Sequence, residues 1–174
     1  IFFQPFLNGD CPDVILMRKG GGVLIIEVKD WNLKSYHLDY RKKWFVSSNG
    51  ALIKSPIDQV LKYKENMYEL HIDKLLELKL KDYRYWYVVN CAFFFSNETQ
   101  DDLLNFLLSP FEQRKLHIDK TNYIGDNKVD AKIEELEKLE KSKDKYLTFL
   151  DKNIALIGKD TLNKINLDKI LDSK

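Results

Sequence analysis

Val23-Leu24-Ile25-Ile26-Glu27-Val28-Lys29 is the stretch that decides the fold. Its first four residues are apolar on both faces, as in a central strand covered on both sides. Side chains alternate along a strand, so Glu27 and Lys29 share one face, where apolar residues are expected. A buried unpaired charge is expensive, so the two need partners or a metal. Just upstream, Val14 to Arg18 is a second apolar run, and Lys19-Gly20-Gly21-Gly22 separates the two. Glycine supplies positive φ without steric cost, so the pair reads as a β-hairpin.

Pro12-Asp13 precedes the first strand of that hairpin. With Gly20, Gly21 and Gly22 as the loop, Asp13 pairs with Lys29. With Lys19 to Gly21 as the loop, Asp13 pairs with Glu27. Either odd-numbered loop gathers two carboxylates and one ammonium at one end of the hairpin, and an even loop separates them. Adjacent carboxylates repel unless a cation neutralises them. Mg²⁺ suits such a pair, because it takes oxygen ligands and keeps several waters. Lys29 could then orient or deprotonate a water at the metal, or stabilise charge on a phosphoryl transition state. The competing reading is a same-face surface ion pair at a strand end, with Asp13 in solvent.

Working outward, Tyr36 to Tyr40 and Lys43 to Ser47 suggest a second hairpin, followed by an Asn49-Gly50 turn. Ser55-Pro56-Ile57-Asp58 reads as a helix start, with Ser55 as cap and Pro56 at the first helical position. An apolar stripe through Ile57, Val60, Leu61, Met67, Tyr68, Leu75 and Leu78 carries that helix to about Lys81, with room for a break. Gln59 and Tyr63, four apart, share one of its faces. A Gln amide can hold a phosphate or base edge, and a Tyr hydroxyl can donate to a phosphate. Tyr83 to Phe95 reads as a strand, buried on both faces from Tyr87. Thr99 to Leu108 reads as a short helix, Asn122 to Ile124 as a short strand, Val129 to about Lys145 as a solvated charged helix, and Asp160 to Asp172 as a last helix.

The 174 residues carry 28 basic and 27 acidic side chains, with 44% hydrophobic residues. That suits one domain with a sizeable core and excludes a disordered chain, collagen or a disulfide scaffold. Cys11 and Cys91 are too few for a disulfide framework, which points to a reduced, cytoplasmic setting. His37, His71 and His117 lack zinc spacing. No apolar run reaches the roughly 18 residues of a membrane span, so no membrane partner is expected. The chain, beginning at Ile1 without signal-peptide features, reads as a fragment of a larger protein.

Pro12-Asp13…Glu27-Val28-Lys29 resembles the PD-(D/E)XK nuclease superfamily. Gln59-Val60-Leu61-Lys62-Tyr63 is similar to the QxxxY motif of its RecB-like branch. More closely, the chain resembles the nuclease-related domain (NERD) over residues 9 to 95. There a strand ending in Asp, a Gly turn, a strand ending in Glu-x-Lys, a Trp-containing hairpin and a Pro-x-x-Gln helix occur in this order. Here they are Asp13, Gly20 to Gly22, Val23 to Lys29, Trp31 with Lys43-Trp44-Phe45, and Pro56-Ile57-Asp58-Gln59. The resemblance implies an α/β fold with a restriction-endonuclease-like core, a mixed central β-sheet flanked by helices. It implies Mg²⁺- or Mn²⁺-dependent cleavage of single- or double-stranded DNA. Asp13 and Glu27 carry over as metal ligands with the Val28 carbonyl as a third, Lys29 as the catalytic lysine, and Gln59 and Tyr63 as residues near the scissile phosphate or metal. Relatives are often fused to helicases and some act in anti-phage defence. The acidic residue usual on a helix before the first strand is not seen, and Asp10 sits in the wrong kind of segment to replace it.

The expected organisation is one nuclease-like domain over residues 1–174, with a core at 9–125 and a helical part at 129–174. Lys34, Arg41, Lys42, Lys43 and Trp44 are candidate nucleic-acid contacts, cations and an aromatic that could neutralise and stack on a single strand. Packing of the same hairpin against the sheet is the alternative. Homo-oligomerisation is a further option for the charged helix. A non-catalytic nucleic-acid-binding or scaffolding module on the same fold is the alternative function.

Overall fold

In the computed structural model, which describes residues 1–7, 9–121 and 128–164, the two apolar runs around the glycines pair as antiparallel strands β2 (Val14–Met17) and β3 (Val23–Lys29). The loop is Lys19 to Gly21, closed by the Arg18 N–H donating to the Gly22 carbonyl at 3.1 Å. Gly20 takes φ +74° there, a conformation that side-chain-bearing residues rarely adopt. Val14 pairs with Ile26, which puts Asp13 opposite Glu27.

A short strand β1 (Phe2–Phe3) adds antiparallel to the outer edge of β2. On the other side β3 pairs in parallel with β7 (Val89–Phe95), and β7 with β8 (Ile154–Gly158). The sheet order β1-β2-β3-β7-β8 is mixed, with β3 in the centre. Four α-helices among the described residues accompany it. The α/β class, the mixed sheet and the central position of β3 are as the sequence predicts, and the arrangement is consistent with a restriction-endonuclease-like core.

Between β3 and β7 lies a second, three-stranded antiparallel sheet of β4 (Tyr36–Leu38), β5 (Trp44–Val46) and β6 (Leu52–Ile53). Its first turn is held by the Asp39 carboxylate, which accepts from the Arg41 and Lys43 N–H groups at 2.8 Å each. Helix α1 (Pro56–Asn66) follows, with Ser55 Oγ accepting from the Asp58 N–H at 3.3 Å. It packs on β3 and β7.

The long helix expected to Lys81 is broken. Residues 67–71 form a wider π-type turn, Lys74 adopts φ +61°, and α2 (Leu75–Lys81) starts afresh. The wide turn lets the consecutive Met67 and Tyr68 both reach the core. Tyr68 Oη then donates to the Tyr85 carbonyl at 2.7 Å and accepts from the Val89 N–H at 3.2 Å. The strand expected from Tyr83 starts only at Val89. Residues Tyr83–Tyr87 coil as a 3-10 helix because the Asp82 carboxylate caps the Arg84 N–H.

Two helices run further than expected. Helix α3 (Gln100–Lys120) starts in a Thr99–Asp102 capping box and passes through Pro110. The proline forfeits one hydrogen bond. Burial of Leu103, Leu107, Pro110, Phe111 and Ile118 along one face sustains the helix. Helix α4 (Lys128–Asn153) continues to the start of β8. Ion pairs Lys132–Asp119 at 3.0 Å, Lys143–Glu112 at 2.9 Å and Arg114–Glu135 join it to α3. The strand expected at Asn122 to Ile124 lies outside the described residues. Of the expected last helix, only a 3-10 turn at Leu162–Lys164 is described.

The main core lies on the sheet face that carries Val23, Ile25, Cys91, Phe93 and Phe95. Val60 and Tyr63 of α1, Met67 of the turn after it, Leu103 and Leu107 of α3, and Leu150 of α4 cover it. Alternation along β3 directs Glu27 to this face. The other face carries a smaller cluster of Leu24, Ala92 and Ile157. Among the described residues, no helix is long and apolar enough to cross a membrane.

Candidate active site

Glu27 ends the apolar part of β3 and is 2% exposed. Lys29, two residues on and on the same face, places Nζ 2.5 Å from Glu27 Oε1. The other carboxylate oxygen, Oε2, is buried and has no hydrogen-bond partner among the described residues. Burial raises the Glu27 pKa, the Lys29 hydrogen bond and charge oppose that rise, Asp13 reinforces it, and Lys54 opposes it weakly. Two carboxylates that feel one another and an orphaned oxygen make a site short of positive charge.

Asp13 sits at the entrance of β2, opposite Glu27. Its Oδ2 accepts from the Val28 N–H at 2.8 Å, which fixes the carboxylate beside the Glu27-Val28-Lys29 segment. From α1, Gln59 Nε2 donates to Tyr63 Oη at 2.6 Å. Tyr63 is 7% exposed. Burial raises its pKa, the Gln59 bond lowers it, and Glu27, Asp10 and Asp13 raise it further. Asp13, Glu27 and Lys29 meet at the end of the β2–β3 hairpin, and Gln59 and Tyr63 pair on α1, which packs on β3. The Lys29 ammonium also lies 5.5 Å from the centre of the Trp31 ring. Trp31 is itself braced by stacking on Tyr36 at 4.8 Å and by an edge contact with Trp44.

Asp10 is another buried carboxylate, 6% exposed, and it faces α1. It accepts from the Asn66 amide and lies 3.8 Å from Lys62 Nζ. In the sequence Asp10 lies in the wrong kind of segment to replace the acidic residue of an upstream helix. Its signal is its partners: Lys62 and Asn66 repeat at helical spacing on α1 and meet it. Lys54 was also missed, since a single lysine before a helix cap carries no pattern.

Of the candidate nucleic-acid contacts, Arg41 and Lys43 are exposed at the tip of the second hairpin. Lys42 is held against Tyr146 and Phe111, 5.0 and 5.3 Å from their ring centres. Lys34 lies apart, in a groove with Asn97, Glu98, Asp102 and Lys159, where acidic groups offset it. Trp44 corrects the expectation of a base-stacking residue. It is 1% exposed and packs on Phe106 at 4.8 Å, because β5 turns this side chain inward to join the small sheet to α3.

Among the described residues, no group of three or more His, Cys, Asp or Glu side chains could hold a metal ion. The donor set fits a hard cation in another way. Mg²⁺ is usually bound through one or two carboxylates, with waters and substrate phosphate completing its shell. Glu27 Oε2 is an oxygen left without a proton donor in a buried position, and such an atom is costly unless something positive meets it.

In comparison with known proteins, the family model described as the nuclease-related domain matches residues 7–96, more than half of the chain. No curated protein and no solved structure matches it.

Proposed function

This chain belongs to the nuclease-related domain family, and on that premise we propose that it is a metal-dependent DNA nuclease module that cleaves phosphodiester bonds. The observation that carries the reading is Glu27. One of its oxygens is held by Lys29, the other is buried without a partner, and Asp13 lies across the strand pair. Asp13 and Glu27, with the Val28 carbonyl, would hold Mg²⁺ or Mn²⁺. Such an ion would polarise a phosphodiester and make a water more acidic.

The chain's own residues do the rest. Lys29 presents a positive charge beside the carboxylates, where a phosphate accumulates negative charge. Gln59 fixes the Tyr63 hydroxyl, leaving its proton free to donate to a phosphate oxygen. Trp31 limits where the Lys29 ammonium can swing. Arg41 and Lys43 attract the strand through its phosphates. A helicase domain in the same full-length protein, an anti-phage role and a cytoplasmic site of action complete the proposal.

The test is titration of Mn²⁺ and Mg²⁺ against single- and double-stranded DNA, with wild type and Glu27→Ala side by side. Binding and cleavage are read in the same samples. Metal-dependent cleavage that disappears in the variant is the expected result. Equal residual cleavage in both would be contamination and removes the proposal. DNA binding that needs no metal and survives the variant, without cleavage, favours the non-catalytic module.

A further inference from the structure

A groove of about 550 Å³ opens between the tip of the second hairpin, the start of α1 and helix α4. Arg41, Lys42, Lys43 and Lys54 line it, against the single carboxylate Asp58. The whole protein carries a formal charge of only +1, whereas this groove sets four cations against one carboxylate. Among the described residues, Arg41, Lys43 and Lys54 stand in no ion pair. Lys42 is occupied by the rings of Tyr146 and Phe111 and closes one wall. Tyr146 and Phe149 offer an aromatic wall, their rings 6.3 Å apart and nearly parallel, and Phe149 is 39% exposed.

Three properties of the groove bear on its occupant. Cations that stand in no ion pair suit phosphates. An exposed aromatic face suits a base, since every base has a π-face. The volume falls in the range of a site for one small molecule, typically about 300–1,000 Å³. Its position adds a fourth. Lys54 immediately precedes Ser55, the cap of the helix that carries Gln59 and Tyr63.

We propose that this groove is a subsite for one unpaired nucleotide of the DNA strand next to the scissile phosphate. Arg41, Lys43 and Lys54 take its phosphates, and Phe149 takes its base. The substrate class is then single-stranded or frayed DNA. This rests on the nuclease reading for its substrate, but the groove binds without metal, so the two can fail separately.

The test is fluorescence anisotropy in EDTA with a labelled short oligothymidylate and a blunt duplex of the same length. Wild type is compared with Lys54→Ala, Phe149→Ala and Phe149→Tyr, each checked for a native far-UV spectrum. The single strand is expected to bind at least tenfold more tightly than the duplex. Phe149→Ala should weaken single-strand binding about tenfold and Phe149→Tyr should restore it. Lys54→Ala should lower the slope of log affinity against log salt by about 0.7, one phosphate contact. Equal binding of duplex and single strand, indifference to both Phe149→Ala and Lys54→Ala, or displacement by thymidine monophosphate at concentrations matching the oligonucleotide would each overturn the proposal. Loss of metal-dependent cleavage alone bears only on the nuclease reading.

Discussion

Replacing Lys29 by Met should destabilise the protein at neutral pH and leave it nearly unchanged in acid. The ammonium sits 2.5 Å from Glu27 Oε1, and the side chains of Lys29 and Glu27 are 16% and 3% exposed. Met fills similar volume but leaves the carboxylate without its cation, and Oε2 already lacks a partner. Breaking a buried ion pair costs about 3–5 kcal/mol. Lys29 is partly wet, so about 2–3 kcal/mol is the expected loss at pH 7.5. That corresponds to about 2–4 °C in Tm per kcal/mol at this size. The sign with pH follows from Glu27. Burial raises its folded pKa above the usual carboxylate value, and Lys29 opposes the rise. Its contribution to stability is present below the unfolded pKa and is lost as pH rises through the folded value. Without Lys29 the folded pKa climbs further, so the penalty grows with pH. Urea unfolding of both proteins between pH 4 and pH 8, in EDTA, measures this. A destabilisation independent of pH, or a variant more stable than wild type at pH 7.5, would refute the charge argument. Metal plays no part in the assay, so the result bears on the site's electrostatics alone.

Mn²⁺ binding should strengthen as pH rises through the elevated Glu27 pKa, since the ion competes with a proton for that carboxylate. Calorimetry in two buffers of different ionisation enthalpy should show proton release on binding, and affinity flat from pH 5 to 8 would contradict it. Lys64 is 1% exposed beneath the Trp86 ring, and burial lowers its pKa to about 8. Lys64→Met should therefore stabilise the fold at pH 7 by on the order of 3 kcal/mol, and the advantage should shrink between pH 8 and 10.5 as the unfolded lysine also loses its proton. Parallel denaturant curves at both ends of that range read the difference. Gly158→Ala should lower stability by about 1–3 kcal/mol, because a Cβ there would fall 2.2 Å from the Gln100 nitrogen and 2.4 Å from the Thr99 carbonyl carbon, both backbone atoms. Thermal unfolding unchanged within a degree would show that the β8–α3 junction gives way instead.

The gathering of Asp13, Glu27 and Lys29 was readable because strand periodicity is rigid. Once the glycine loop holds an odd number of residues, the carboxylates must converge. Whether Asp13 met Glu27 or Lys29 was open, and the Arg18–Gly22 hydrogen bond decided it. Gln59 and Tyr63 were readable for the same kind of reason, one helical turn apart. Asp10 was not, because its burial depends on Lys62 and Asn66 arriving from more than fifty residues downstream. The break after Asn66 was not placed either, since the apolar stripe continues through it and the competing contacts of Tyr68 with Tyr85 and Val89 are tertiary.

Sequence alone determined the hairpin, the central strand, the helix cap at Ser55 and the convergence of Asp13, Glu27 and Lys29 at one hairpin end. Those follow from local periodicity, turn chemistry and the cost of burying charge, which act within a few residues of one another. Tertiary structure alone decided which aromatics are free. Trp44 is consumed by the contact between the small sheet and α3, whereas Phe149, far along the chain on α4, faces the basic groove. Burial of a side chain is a property of what packs over it, and that comes from elements the local pattern does not see.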